Sequence, residues 1–101
     1  MKTISFEEKC YDLLKKVPKG KVTTYKEIAR LLRTRAYRAV GNAMNKNPYA
    51  PKVPCHRVIR SDGKIGGYAL GTEKKNKLLR AERVEIKDNK INLEKYLFKF
   101  E

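Results

Sequence analysis

The apolar positions near the start of the chain fall on one face of a helix. They recur every three or four residues, the spacing that predicts an amphipathic helix with this stripe facing a core. They are Phe6, Cys10, Leu13, Leu14 and Val17. Pro18 and Gly20 follow the stripe and end the helix. This pattern places Cys10 among the core residues.

Two further helical patterns lie close together between residues 24 and 45. The first opens at Thr24, which forms a capping box with Glu27 three residues later. The second begins at residue 34 or 35 and ends at Asn45, because Pro48 prevents its continuation. Two short helices joined by a few residues predict a helix-turn-helix.

The second half of the chain combines a turn, a helix and an apolar tail. Residues 58–65 predict a small β-hairpin around the Asp62-Gly63 turn. A third helix is capped by Thr72. After a turn at residues 88–89, apolar tail residues cover the core, and their pattern does not distinguish a strand from a helix. The whole pattern predicts a mostly α fold with a small β-hairpin.

Composition adds a strongly basic surface to this picture. The chain has 101 residues, which fits a single domain over residues 1–101. It carries 25 Lys and Arg against 11 Asp and Glu, a formal net charge of +14. The basic residues are spread from Lys2 to Lys99, so they form a surface rather than a tail. Nucleic acid is the polyanionic partner that such a surface favours.

Other features of the sequence exclude several classes of protein. No segment reaches the apolar length of a transmembrane helix, and no basic amphipathic stretch indicates membrane binding. Glu7, Glu8 and Asp12 make the N-terminus unlike a signal peptide. Two distant cysteines and one histidine form neither a disulfide framework nor a four-ligand zinc site. We therefore expect a cytoplasmic protein with no metal and no membrane association.

The second helix of the helix-turn-helix carries both long polar and small residues. The long side chains can read bases or contact phosphates, and they are Arg35, Arg38, Asn42 and Asn45. The small ones allow close approach to DNA, and they are Ala36, Ala39, Gly41 and Ala43. This mixture favours minor-groove or shape-driven contact over sequence readout. Arg38 would either probe the DNA or lie in solvent and contact a phosphate, and the motif alone favours neither.

Cys55 lies beside His56, the only histidine of the chain. A thiolate is a nucleophile, and nearby positive charge or a base within reach favours its formation. Neighbours in an extended strand point to opposite faces, so the pair can cooperate only where the backbone turns. Asp62 and Glu82 are both candidates to orient the histidine. The alternative is a buried structural cysteine beside a surface histidine.

Four motifs, in this order, resemble those of the alkylguanine-DNA alkyltransferases, the methylated-DNA–protein-cysteine methyltransferases that repair O6-methylguanine. They are RAVGNAMNKNP, PCHRV, GGY and KLLRAE, and the resemblance covers residues 6–84. It implies the winged-helix-like C-terminal domain of that family, here standing alone without the N-terminal domain, and no cofactor. It also implies that Cys55 accepts the alkyl group irreversibly, that His56 deprotonates Cys55 through a water, and that Glu82 orients His56.

The resemblance further implies residues that contact DNA or the substrate base. Arg38 matches the arginine that fills the space of the flipped nucleotide, and Tyr25 matches the tyrosine that helps to rotate it. Asn47 matches the asparagine that ties the helix-turn-helix to the active-site loop, and Tyr68 matches the tyrosine near the leaving oxygen. The remaining implied residues shape the pocket or contact the base edge through their backbone, and they are Arg57, Val58 and Ala69.

The implied activity is direct repair by a monomer that flips O6-alkylguanine out of double-stranded DNA and transfers the alkyl group to Cys55. Leu70 stands where small residues are common in the family, so we expect it to disfavour bulky adducts. Two alternatives stay open. An alkyltransferase-like protein binds lesions without transfer and has another residue in place of the acceptor cysteine. A helix-turn-helix regulator would instead prefer undamaged sites, and Cys55 would have no role.

Overall fold

Five helices and two short strands form the parts of the chain that the computed structural model describes, residues 5–49, 52–68 and 70–100. The helices are α1 (Phe6–Leu14), α2 (Tyr25–Leu31), α3 (Tyr37–Lys46), α4 (Thr72–Ala81) and α5 (Leu93–Tyr96). The strands are β1 (Thr23–Thr24) and β2 (Val58–Ile59), and a 3₁₀ turn at Cys55–Arg57 precedes β2. The predicted mostly helical fold with a little β structure is confirmed.

Helix α1 follows the apolar stripe of the sequence. The Ser5 hydroxyl caps it by accepting the Glu8 amide at 3.1 Å, and Cys10 and Leu14 are fully buried. Tyr11 lies outside the stripe but is buried too. Its hydroxyl donates to the Ala43 carbonyl at 2.8 Å, which ties α1 to α3. The placement of Cys10 in the core is therefore confirmed.

The helix-turn-helix forms at the predicted place. The Thr24 hydroxyl accepts the Glu27 amide at 3.0 Å, as the capping motif predicts. Helix α3 begins at Tyr37, two to three residues later than expected, because Arg33 adopts a positive φ of 56° and the Thr34 hydroxyl accepts the Ala36 amide. These local bonds lengthen the turn between α2 and α3. Helix α3 packs against both α1 and α2.

The predicted hairpin over residues 58–65 is wrong. Strand β2 pairs in parallel with β1, with Thr23 opposite Val58 and Thr24 opposite Ile59. The turn itself exists, since the Arg60 amide donates to the Lys64 carbonyl at 2.9 Å, but Lys64 then pairs with Lys90. Both residues of β2 are fully buried, which suits a parallel strand covered on both faces better than a half-exposed hairpin.

Strand β2 separates two apolar clusters, because successive side chains of a strand point to opposite faces. Val58 belongs to the cluster that α1, α2 and α3 form, and Ile59 belongs to the cluster between α4 and the tail. The acceptor candidate Cys55 lies in the first cluster. The loop that carries it is thus held between both cores.

The remaining predictions concern α4 and the tail. Thr72 is the first residue of α4 rather than its cap, which is Gly71 at a φ of 96°, and no side chain of the described residues caps this end. The tail turns at positive φ at Asp88 and Asn89, as predicted, and then forms α5 and a bridge from Leu97 to Val22. None of the helices in the described ranges is long and apolar enough to cross a membrane.

Candidate functional site

The backbone turns sharply at the Cys-His pair. The 3₁₀ turn is closed by the Arg57 amide, which donates to the Pro54 carbonyl at 2.9 Å. Cys55 and His56 are each only 2% exposed. The structure therefore meets the condition under which neighbouring residues can cooperate, and it places the histidine in the interior rather than at the surface.

Glu82, at the end of α4, is the carboxylate that contacts His56. Its Oε2 lies 3.0 Å from Nε2 of His56. The Arg57 guanidinium donates to both oxygens of Glu82, at 2.9 and 2.6 Å, and to the Val17 carbonyl at 2.8 Å. The other candidate, Asp62, pairs instead with Arg60 at 3.1 Å on the surface. Arg57 thus points into the protein and fixes the carboxylate.

These contacts determine the protonation states of Glu82 and His56. Burial opposes the charge of Glu82, but the hydrogen bonds from Arg57 and His56 outweigh it and lower the pKa of Glu82. Burial lowers the pKa of His56, so the imidazole is neutral near pH 7. Because a carboxylate only accepts, the proton of the imidazole lies on Nε2. The buried Nδ1 has no protein partner among the described residues and keeps its lone pair.

Several groups around the Cys55 thiol act on its pKa in opposite directions. Burial raises its pKa, and the Asn47 side chain, the Lys75 charge and a backbone hydrogen bond partly offset that effect. Asn47 follows α3, and its amide nitrogen donates to the Val53 carbonyl at 2.8 Å, two residues before the cysteine. The thiol is therefore mostly protonated at rest and needs a base before it can react.

Lys75 is a site residue that the sequence reasoning missed. Its side chain is fully buried, and its ammonium group donates to the carbonyls of Val58, Ile65 and Gly67 at 2.7, 2.6 and 2.9 Å. Burial lowers its pKa to about 8, so it stays mostly protonated at neutral pH. The sequence did contain a signal for its burial: Lys75 lies four residues before Leu79, which places both on the same, buried face of α4.

Two tyrosines lie beside the thiol. The Tyr68 ring meets the His56 ring edge-on, with centroids 6.3 Å apart, and its buried hydroxyl has no protein partner in the described ranges. Burial, and then the nearby Cys55, raise the pKa of Tyr68 to about 12. The Tyr25 hydroxyl donates to the Gly67 carbonyl at 3.4 Å. Both phenols stay neutral, and the Tyr68 hydroxyl, which has no hydrogen-bond partner among the described residues, can donate to a bound group.

The residues expected to contact DNA are divided between surface and interior. Arg38 and Asn42 are exposed on α3, and a Cβ added at Gly41 meets nothing within 4 Å. Val58 is buried, its amide donates to the Cys55 carbonyl, and its own carbonyl accepts Lys75. Leu70 is half exposed rather than packed inward. Ala69 lies outside the described residues, so its assignment stays a prediction.

No group of three His, Cys, Asp or Glu side chains within residues 5–49, 52–68 and 70–100 could hold a metal ion. The chemistry available at this site is that of a buried thiol, a neutral imidazole with a free lone pair, and a carboxylate that fixes the imidazole. A water between Nδ1 and the thiol would let the imidazole act as a general base.

Comparison with known proteins finds similar sequences over most of the chain. Residues 5–84 match the model of the 6-O-methylguanine DNA methyltransferase DNA-binding domain. A methylated-DNA–protein-cysteine methyltransferase of Candida glabrata is 43% identical over 93% of this chain and 50% of its own length. The chain spans between one third and a little over half of the length of the curated relatives it matches.

Two solved structures extend the comparison to three dimensions. Atl1 of S. pombe, bound to damaged DNA containing O6-carboxymethylguanine, superposes with a TM-score of 0.84 at 37% identity. The match covers 98% of this chain and 99% of Atl1. OGT of Mycobacterium tuberculosis, in complex with DNA, has a TM-score of 0.75 at 40% identity, over 81% of this chain and 51% of its own.

Proposed function

Because this chain belongs to the 6-O-methylguanine DNA methyltransferase family, we propose that it repairs O6-alkylguanine in double-stranded DNA by transferring the alkyl group to its own Cys55. The observation that carries the proposal is the relay from Glu82 to His56. Among the described residues, this relay leaves the lone pair of a buried, neutral Nδ1 without a partner in the residue next to the thiol. A structural cysteine would need no such base.

The transfer is a single displacement at carbon. His56 takes the thiol proton of Cys55 through one water, and the sulfur attacks the alkyl carbon on guanine O6. The carbon–sulfur bond forms as the carbon–oxygen bond breaks, and the electron pair goes to the guanine. The guanine gains one proton, which balances the one that the thiol lost. The Tyr68 hydroxyl, buried and unpartnered among the described residues, can donate to the base as this charge develops.

Access to O6 requires that the nucleotide leave the duplex. Unstacking costs a few kcal/mol, and less for a mispaired, damaged base. Arg38 is exposed on α3 and long enough to occupy the vacated space, while Gly41 lets the helix approach the groove closely. The net charge of +14 supplies sequence-independent affinity during the search.

The decisive experiment mixes the protein with one equivalent of a duplex carrying a single O6-methylguanine. Intact mass and peptide mapping should show one methyl group gained on the Cys55 peptide and none in Cys55→Ala. A duplex with unmodified guanine at the same position is the control for adventitious alkylation. Full binding without any gain of mass would refute the transfer.

The S. pombe Atl1 structure favours a second candidate function, lesion binding without transfer, because Atl1 matches almost the whole chain and was crystallised on damaged DNA. The cysteine at position 55 supports transfer instead. The mass experiment separates the two candidates, since a binding protein would retain the lesion and leave the thiol unchanged.

Gly41 offers a test of the DNA-binding face that does not involve the reaction. Gly41→Ala should stabilise the protein by about 0.5–1 kcal/mol, because alanine is the better helix former and its Cβ meets no neighbour. Gly41→Leu should bind DNA more weakly than Gly41→Ala, since its larger side chain fills space between α3 and the narrow minor groove. Urea unfolding and fluorescence anisotropy measure the two effects. Equal DNA affinity in wild type and Gly41→Leu would place the groove elsewhere.

A further inference from the structure

A second cleft opens beside the candidate site. It encloses about 370 Å³ and is lined by two tyrosines, two cations and a hydroxyl, which are Tyr25, Tyr37, Lys26, Arg60 and Ser61. We propose that this cleft binds the nucleotide adjoining the flipped one, with its base stacked on Tyr37 and its phosphate near Lys26. The proposal rests on the proposed function, because it takes the flipped nucleotide as its reference point.

The composition of the cleft matches the two parts of a nucleotide. Aromatic rings bind bases by stacking whatever their sequence, and cations with a hydroxyl bind phosphate. Tyr37 is 47% exposed at the start of α3, so folding does not require its ring. A lone exposed tyrosine is common. This one shares a cavity wall with Tyr25 and directly precedes Arg38 in the sequence.

The cleft adjoins the acceptor site through Tyr25. The hydroxyl of this residue donates to the Gly67 carbonyl, next to Tyr68. Burial, and then the proximity of the Cys55 thiol, raise the pKa of Tyr25. Tyr25 thus forms part of the wall of the cleft and part of the wall of the Cys55 site. When one nucleotide of a DNA strand lies at Cys55, the next nucleotide of that strand is within reach of the cleft.

A larger groove continues from the cleft and gives the strand a path. It encloses about 540 Å³, shares Lys26, Tyr37 and Ser61 with the cleft, and extends to Arg33 and Arg35. Two arginines along this path are already ion-paired, Arg30 with Glu27 in the groove and Arg60 with Asp62 in the cleft. No carboxylate in the described part of the chain forms an ion pair with Lys26, Arg33 or Arg35. These three cations favour a continuous polyanion over a single bound phosphate.

A double-mutant cycle tests whether Tyr37 stacks on a base. The measurements use Cys55→Ala protein, so that transfer does not consume the substrate, and duplexes with one O6-methylguanine. In matched duplexes, an abasic site replaces each neighbouring nucleotide of the lesion strand in turn. Fluorescence anisotropy gives the DNA affinity of three proteins, all carrying Cys55→Ala. The first retains Tyr37, the second carries Tyr37→Phe, which keeps the ring, and the third carries Tyr37→Ala, which removes it.

We expect Tyr37→Ala to lose about tenfold in affinity on the intact lesion duplex, and Tyr37→Phe less than twofold. On the duplex that lacks the stacked base, all three proteins should bind equally. An equal loss in Tyr37→Ala on every abasic duplex, or no loss on the intact one, would overturn the proposal. Thermal unfolding should be unchanged, because the ring is exposed.

The result of the double-mutant cycle can be distinguished from the result of the mass experiment that tests the proposed function. The cycle measures affinity in a protein that cannot transfer, whereas the mass experiment measures transfer alone. Transfer without coupling between Tyr37 and a base would refute only the cleft. Coupling without transfer would establish the cleft in a lesion-binding protein.

Discussion

Lys75→Met is expected to destabilise the protein by about 3 kcal/mol or more, because it leaves three carbonyls without their donor inside the fold. The Lys75 ammonium joins β2, through Val58, to the segment before Tyr68, through Ile65 and Gly67. Methionine matches the length of the lysine but donates nothing. A loss of this size is a large part of the 5–15 kcal/mol that ordinarily stabilises a small domain.

Urea unfolding of Lys75→Met beside Lys74→Met measures the effect, since Lys74 is the exposed neighbour on the same helix. The control should unfold within about 0.5 kcal/mol of wild type. In protein that remains folded, the Cys55 thiol should titrate at higher pH, because the Lys75 charge lowers its pKa in the wild type. If both variants match the wild type, the buried ammonium is neither a structural link nor an influence on the thiol.

Removing the imidazole should slow alkyl transfer most. We expect His56→Ala to lower the single-turnover rate by about 10²–10⁴-fold, the usual contribution of a general base. The variant should fold, because Arg57 still holds both oxygens of Glu82. Its affinity for the lesion duplex should remain that of the wild type. Quenched-flow mixing followed by mass analysis gives the rate.

The pH dependence distinguishes a base from a structural residue. Because burial lowers the pKa of His56 from 6.5, the wild-type rate should fall with acid to half of its plateau only below pH 6.5. The His56→Ala rate should instead rise about tenfold per pH unit up to the raised pKa of the thiol, since only the thiolate then reacts. Parallel profiles for the two proteins would exclude His56 as the base.

The helices near the N-terminus could be predicted from the sequence because their signals are local. The apolar stripe of α1 and the hydroxyl cap at Thr24 involve residues three or four apart. The pairing of β2 could not, because its partner β1 lies more than thirty residues earlier in the chain. A turn at Asp62-Gly63 suggests a hairpin unless the tail competes, and here the Ile91 amide donates to the Gly63 carbonyl at 2.8 Å.

In the candidate site too, local features could be predicted from the sequence and long-range contacts could not. The chemistry of Cys55 and His56 can be inferred from their residue types, but sequence distance cannot choose between Asp62 and Glu82, and only the resemblance pointed to Glu82. The structure places Glu82 against His56 because α4 ends there. Lys75 escaped notice because lysines are rarely buried, and three backbone carbonyls that converge on one point leave no mark in the sequence.

The burial of Cys55 has a consequence for the chemical lifetime of the unused protein. Oxidation of a cysteine follows its exposure and its thiolate content, and this thiol has little of either, at 2% exposed and with a raised pKa. If the proposed transfer to Cys55 is irreversible, oxidation of its sulfur before the reaction would inactivate the protein. Under the proposed function, we therefore expect the buried thiol to be oxidised by peroxide more slowly than an exposed cysteine.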